Sequence, residues 1–112
     1  MCNHKTLHHN QHGYIIKCSR CKHIQIGFGS FAVTQTMNDF FEFRQMIYEN
    51  HTSAKFSHEL IPEQKSIQLS TPLRNMFWVF SLNELHHFTD LLEKASISLE
   101  IEQILTTTIN EN

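Results

Sequence analysis

Gly13-Tyr14-Ile15-Ile16-Lys17-Cys18-Ser19-Arg20-Cys21-Lys22-His23-Ile24-Gln25-Ile26-Gly27-Phe28 is the stretch that decides how this chain is read. Tyr14 to Lys17 is rich in β-branched and aromatic residues and reads as a strand. Cys18-Ser19-Arg20-Cys21 reads as a tight turn. From His23 to Thr34, Ile24, Ile26 and Phe28 alternate with polar or small residues, which predicts a half-buried strand. Gly27 and Gly29 within it point to a bulge or a close backbone approach. Two residues between cysteines let both thiolates face one metal from a single turn, and structural zinc takes four Cys or His ligands in a tetrahedron.

Two more ligands must come from elsewhere. If residues 4–8 form a strand that turns through Asn10-Gln11-His12-Gly13 and runs antiparallel to 14–17, residues 2–4 come to lie beside the cysteine turn. The expected ligand set is therefore Cys2, His4, Cys18 and Cys21, holding one structural Zn2+. One residue separates Cys2 from His4, fewer than the usual spacing. His8, His9, His12 and His23 are alternatives for the histidine position. A closed set of four leaves no coordination site for water or substrate, which argues for a structural and against a catalytic metal. Zinc contributes about 10–16 kcal/mol in small finger peptides, against a total stability of about 5–15 kcal/mol for a domain. A fraction of that would suffice to order residues 1–30.

Other chemistry at these cysteines fits less well. A thioredoxin-like pair opens a helix, whereas a strand is expected to follow Cys21. A c-type haem motif needs His directly after the second Cys, where Lys22 stands. Removal of Met1 would expose an amine on Cys2, but no oxyanion partner accompanies it. No phosphate loop, nucleophile elbow or HExxH motif occurs. Glu84 and Asp90 read as a helix cap and a surface charge, the adjacent His86 and His87 as a solvated helix face, and His51 and His58 as flanking a loop.

Working outward, Thr36 is a candidate N-cap with Asp39 three residues on, opening a helix to about Asn50 that carries Met37, Phe40, Phe41, Ile47 and Tyr48 on one stripe. Ser66 to Leu69 and Met76 to Phe80 read as strands around a Thr71-to-Asn75 turn. Ser81, with Glu84 at the capping-box position, opens a second helix with Leu82, Leu85, Phe88 and Leu92 on its apolar face. Thr36-Met37-Asn38-Asp39-Phe40 matches Ser81-Leu82-Asn83-Glu84-Leu85 at a constant offset of 45 residues. That predicts a duplicated ββα unit, residues 1–50 and 51–112 of a single domain 1–112, with the cysteine turn of the first half replaced by the Pro72 turn of the second. Ile97, Leu99 and Ile101 alternate like a strand but also fit a helix; a short separate helix from about Ser98 is expected, with fraying from Thr106. The predicted fold class is α+β: an antiparallel sheet of about five strands, helices on one face, and a zinc-ribbon-like N-terminal turn.

The run Met1-Cys2-Asn3-His4, then Gly13-Tyr14, Cys18-x2-Cys21, Ile24-Gln25 and Phe28-Gly29 resembles a family of small, uncharacterised bacterial proteins of about this length. The resemblance implies a shared metal site and a bacterial cytoplasmic setting, and no substrate or catalytic residue.

The 112 residues suit one compact domain, and 40% apolar against 18% charged residues places the chain among globular proteins. The polar N-terminus lacks a signal-like run, and the longest bulky run, Met76 to Phe80, is far short of the roughly 20 residues of a membrane helix. The expected location is therefore a reducing cytoplasm, where cysteines are metal ligands or thiols rather than disulfides. Residues 1–38 hold Lys5, Lys17, Arg20 and Lys22 and no acid, while residues 39–112 hold five basic and eleven acidic residues. Four cations are a thin footprint for nucleic acid. Trp78, Phe77 and Phe80 read as core, although Phe77 and Phe41, if outward, would form an apolar patch for a partner. The expected function is a non-enzymatic, zinc-stabilised module binding a protein partner or a second copy. The alternatives are a thiol-based redox or metal-sensing protein using Cys18 and Cys21, and nucleic-acid binding through the basic N-terminal end.

Overall fold

A computed structural model describes residues 3–57 and 59–110, with side chains as far as Leu105. Four strands come first: β1 (His4–Asn10), β2 (Gly13–Cys18), β3 (Ile24–Phe28) and β4 (Phe31–Gln35). They form one antiparallel sheet in chain order. The β1–β2 turn closes because the Asn10 side-chain oxygen accepts hydrogen bonds from the N–H groups of His12 and Gly13, at 2.8 and 3.1 Å. The run His23 to Thr34 is two strands, not one. Gly29 takes a φ of +58°, open to glycine without cost, and Gly29-Ser30 turns the chain back so that Phe31 pairs with Phe28. Gly27 marks the expected close approach: a side chain there would strike the Tyr14 ring, which lies over the gap.

Alternation along the pleat gives the sheet two unlike faces. Ile15, Ile24, Ile26 and Phe28 are buried on the inner face. Tyr14, Ile16, Cys18, Gln25 and Thr34 share the outer face through the strand register. A bulge between Thr6 and His8 helps set Leu7 in the core, and the Leu7 carbonyl accepts a hydrogen bond from the Ser98 hydroxyl at 3.1 Å.

Helix α1 (Met37–Lys55) begins as expected, with the Thr36 hydroxyl accepting from the Asp39 N–H at 3.2 Å. It runs past Asn50 because no Gly or Pro intervenes and Ala54 is buried. Its buried stripe is Phe40, Phe43, Ile47 and Ala54; Tyr48, one residue past Ile47, turns to solvent. His51 lies in this helix, not beside a loop, and His58 falls outside the described residues. Strands β5 (Ile67–Ser70) and β6 (Phe77–Phe80) form a separate two-stranded sheet, so the described strands number six in two sheets rather than about five in one. The hairpin preceding α1 is β3–β4, with its turn at Gly29. The cysteine turn, between β2 and β3, is thus not the counterpart of the Pro72 turn.

Helix α2 (Leu82–Asn110) opens on the full capping box: the Ser81 N–H donates to Glu84 Oε1 at 2.9 Å and the Glu84 N–H to Ser81 Oγ at 3.1 Å. It is one helix of 29 residues, about 44 Å long, with no separate element at Ser98. Ile97 and Ile101 alternate with Leu99 in sequence, but on a helix the first two share an exposed face while Leu99 joins the buried stripe. Both helices lie on the inner side of the four-stranded sheet; α2 packs against β1 and β2 and, on its other flank, against α1. Burial on two flanks explains why Leu85, Phe88, Leu91, Leu92, Ala95 and Leu99 are all essentially inaccessible. Phe88 sits at the aromatic centre of a core contributed by both halves of the chain.

Candidate metal centre at the cysteine turn

The Cys18–Cys21 segment is a closed turn. The Cys18 N–H donates to the His23 carbonyl at 2.9 Å, the Lys22 N–H to the Cys18 carbonyl at 3.0 Å, and the Cys21 N–H to Cys18 Sγ at 3.4 Å. Lys22 adopts a φ of +65° to complete it, a conformation costing about 1–2 kcal/mol for a residue with a Cβ.

His4 pairs directly with Cys18 across β1 and β2, and the Ser19 N–H donates to the Asn3 carbonyl at 2.9 Å. Asn3 and His4 therefore lie against the turn, as the sequence implied for them. His4, Cys18, Cys21 and His23 line one concavity of about 210 Å³ on the outer face, floored by Ile16, Gln25 and Thr34. Cys18 is 4% exposed, whereas His4, Cys21 and His23 stand at the rim. Cys2 lies outside the described residues. Among the described residues, no three histidine, cysteine or carboxylate side chains converge closely enough to hold an ion as placed. Cys18 takes part in a disulfide, a state in which its sulfur is no thiolate ligand and which differs from the reduced thiol expected. Two cysteines and two histidines are residue types that zinc takes, but to hold it Cys18 would have to be reduced and the side chains drawn together.

The other histidines separate from this group. His8 pairs with Ile15 on the inner side of the sheet. His9 pairs with Tyr14, four residues along β2 from Cys18, or about 13 Å away. His12 stacks on His87 of α2, with ring centroids 3.9 Å apart and planes at 17°. His86 continues the row, 5.7 Å from His87 and 5.4 Å from His51 of α1. Burial, then the neighbouring His12 and His86, lower the pKa of His87, against an opposing pull from Asp90. Burial, then His86 and Lys55, lower that of His51. Nothing local in the sequence announces this row, since His12 and His87 meet only through the docking of α2 on the β1–β2 turn.

The basic N-terminal end is partly neutralised within the fold. Lys17 meets Glu102 of α2 at 2.6 Å and Lys5 meets the same carboxylate at 3.3 Å. The Lys17 hydrogen bond, helped by Lys5 and opposed by burial, holds the Glu102 carboxyl below its usual range. Two of the four cations counted for nucleic acid are thus already paired. Glu84 serves as the helix cap: burial alone would raise its pKa, but Ser81 and Lys65 together lower it.

Residues 1–111 match a single family profile. The chain belongs to DUF6686, a family of unknown function. No curated protein and no solved structure matches the chain. Membership in DUF6686 covers nearly the whole length, in keeping with the resemblance seen in the sequence, and assigns neither metal nor activity. Among the described residues, no helix is long and apolar enough to cross a membrane.

Proposed function

We propose that this DUF6686 protein is a non-enzymatic module, tied together at its N-terminal end by one zinc ion on Cys2, His4, Cys18 and Cys21, that binds a protein partner in a reducing compartment. The observation that carries the reading is the closed Cys18–Cys21 turn with His4 directly opposite Cys18. Zinc bound there would link the chain start, β1 and the β2–β3 connection, the part of the sheet farthest from the aromatic core. The zinc-ribbon likeness rests on this turn alone. Support for a protein partner comes from the exposed apolar side chains of the β5–β6 hairpin, Leu73, Met76, Phe77 and Val79, each 44–65% accessible. Trp78 beside them faces inward, its ring 5.4 Å from both Phe31 and Phe43.

The test is the metal content of the untagged protein, purified under reducing conditions, beside Cys18→Ser. One zinc per chain, lost in Cys18→Ser together with order in residues 1–30, is the expected result. No zinc in a folded, reduced protein would refute it. A thiol-based redox role is the second reading, favoured by the disulfide at Cys18. A metal-free protein whose Cys18 cycles readily between oxidised and reduced forms would select it.

A further inference from the structure

The four-stranded sheet has two edges, and they are built differently. The β1 edge is guarded. It carries the bulge between Thr6 and His8 and the exposed Lys5, and α2 packs against it. Strand β4 has none of these devices. Its residues, Phe31-Ala32-Val33-Thr34-Gln35, include no charge, proline or bulge, and each keeps some accessible surface. It pairs with β3 on one side and, among the described residues, with no strand on the other. The β5–β6 hairpin reaches it through Trp78 on Phe31, with ring centroids 5.4 Å apart, and does not run beside it.

The free backbone groups of this edge follow from the hairpin. The two-residue Gly29-Ser30 loop, with glycine at positive φ in its first position, closes on the pair Phe28 and Phe31. Phe31, Val33 and Gln35 therefore turn their backbone groups toward β3. By alternation, the N–H and C=O groups of Ala32 and Thr34 point outward from the edge. Both residues are exposed.

We propose that β4 pairs antiparallel with β4 of a second copy of this chain, about a two-fold axis at Val33, joining the two four-stranded sheets into one. This rests on the partner-binding part of the reading above and is independent of the metal. In that register Val33 faces Val33 of the other copy, and Ala32 faces Thr34 on both sides of the axis. Each Ala32–Thr34 pair exchanges both of its backbone hydrogen bonds, so every outward group finds a partner. A second copy is the occupant because the edge is neutral and matches itself. Residues 24–38 have no ionisable side chain, whereas residues 39–112 carry the acidic excess. Identical copies therefore meet at β4 without like charges on the paired strands, and a charged peptide finds no countercharge there. Exposed Met76, Phe77 and Val79 line the hollow beside the Phe31 end of the edge and extend the contact with apolar surface.

The experiment is sedimentation of the full-length reduced protein over a concentration series reaching about 1 mM. A monomer–dimer equilibrium in the micromolar range is expected. Thr34→Pro removes an outward N–H that β3 does not use, so the fold should be kept and the dimer weakened by about tenfold or more. Ala32→Lys and Ala32→Glu each set like charges about 7–8 Å apart on the diagonal across the axis. Each alone should stay monomeric at concentrations where wild type pairs, and a one-to-one mixture should associate again. Circular dichroism checks folding, and the charge pair decides the matter if Thr34→Pro does not fold. A wild type monomeric throughout would overturn the pairing and leave a different protein partner in place. A folded Thr34→Pro dimer as tight as wild type, or folded charge variants that stay apart when mixed, would overturn it as well. Zinc counted on the same samples separates this from the metal reading: a zinc-bearing monomer overturns the pairing alone, and a zinc-free dimer that responds to the β4 variants supports it.

Discussion

Truncation of Phe88 should come close to unfolding this protein. Its ring is fully buried and meets four others: Phe28 at 4.5 Å, Phe80 at 5.7 Å, and Phe31 and Phe43 each at 5.8 Å between centroids. Those partners come from β3, β4, α1 and β6, so one side chain of α2 links both sheets and both helices. A buried Phe covers about 150–250 Å². At about 25 cal/mol per Å² this is about 4–6 kcal/mol as an upper bound, since the unfolded chain already hides part of that area. Measured Phe→Ala losses of about 3–5 kcal/mol lead to the same place. About 4 kcal/mol is the expected loss for Phe88→Ala, out of a total of about 5–15 kcal/mol. Urea unfolding followed by the fluorescence of Trp78, the sole tryptophan, reads it directly. The Trp78 ring packs on Phe31 and Phe43, both partners of Phe88. Phe88→Leu, which refills much of the space, should lose less than half as much. A Phe88→Ala loss under about 1.5 kcal/mol, with an unchanged denaturant slope, would refute the role of this ring as the hub.

The Lys17–Glu102 pair allows a charge test, since Lys17 is 8% exposed. Glu102→Ala should cost about 1–3 kcal/mol by stranding a buried cation, and Lys17→Met combined with Glu102→Leu should recover most of it; equal losses in both would count against the pair. A pH test follows from His87 and His51, whose folded pKa values are lowered from 6.5. The unfolded chain then takes up protons more readily, so stability is flat above about pH 6.5 and falls as pH drops below it. Denaturation midpoints at pH 7.5 and 5.5, measured with chelator present, should show that fall, and His87→Asn should flatten it; a midpoint rising toward pH 5.5 would contradict the sign.

The Thr36 and Ser81 caps, the Asn10-to-Gly13 turn, the strand on each side of Cys18 and the antiparallel pairing of the chain start are legible in the sequence because each depends on a few adjacent residues. Hydrogen-bonding geometry over that range leaves few choices. The differences between expectation and structure share one cause. Gly29 suits a kink within a strand as well as a reversal between two, and the pairing of Phe31 with Phe28 makes it a reversal. Asn50 carries no stop signal of its own, and the burial of Ala54 carries α1 past it. Ile97, Leu99 and Ile101 fit either period, and the packing of Leu99 in the core keeps them on one continuous helix. In each case the deciding factor is what the next segment packs against.

By itself, then, the sequence determined the class of elements and the pair of cysteines at a turn, because periodicity and turn chemistry act within about ten residues. Tertiary structure decided that the strands divide into two sheets and that α2 is buried on two flanks. It brought Glu102 to Lys17 and His87 to His12, partners 85 and 75 positions apart. It also placed His23, and not His8, His9 or His12, along the same hollow as His4 and Cys18. Register across a sheet and the docking of a helix are set by the burial of the whole core, and no local stretch of chain carries that information.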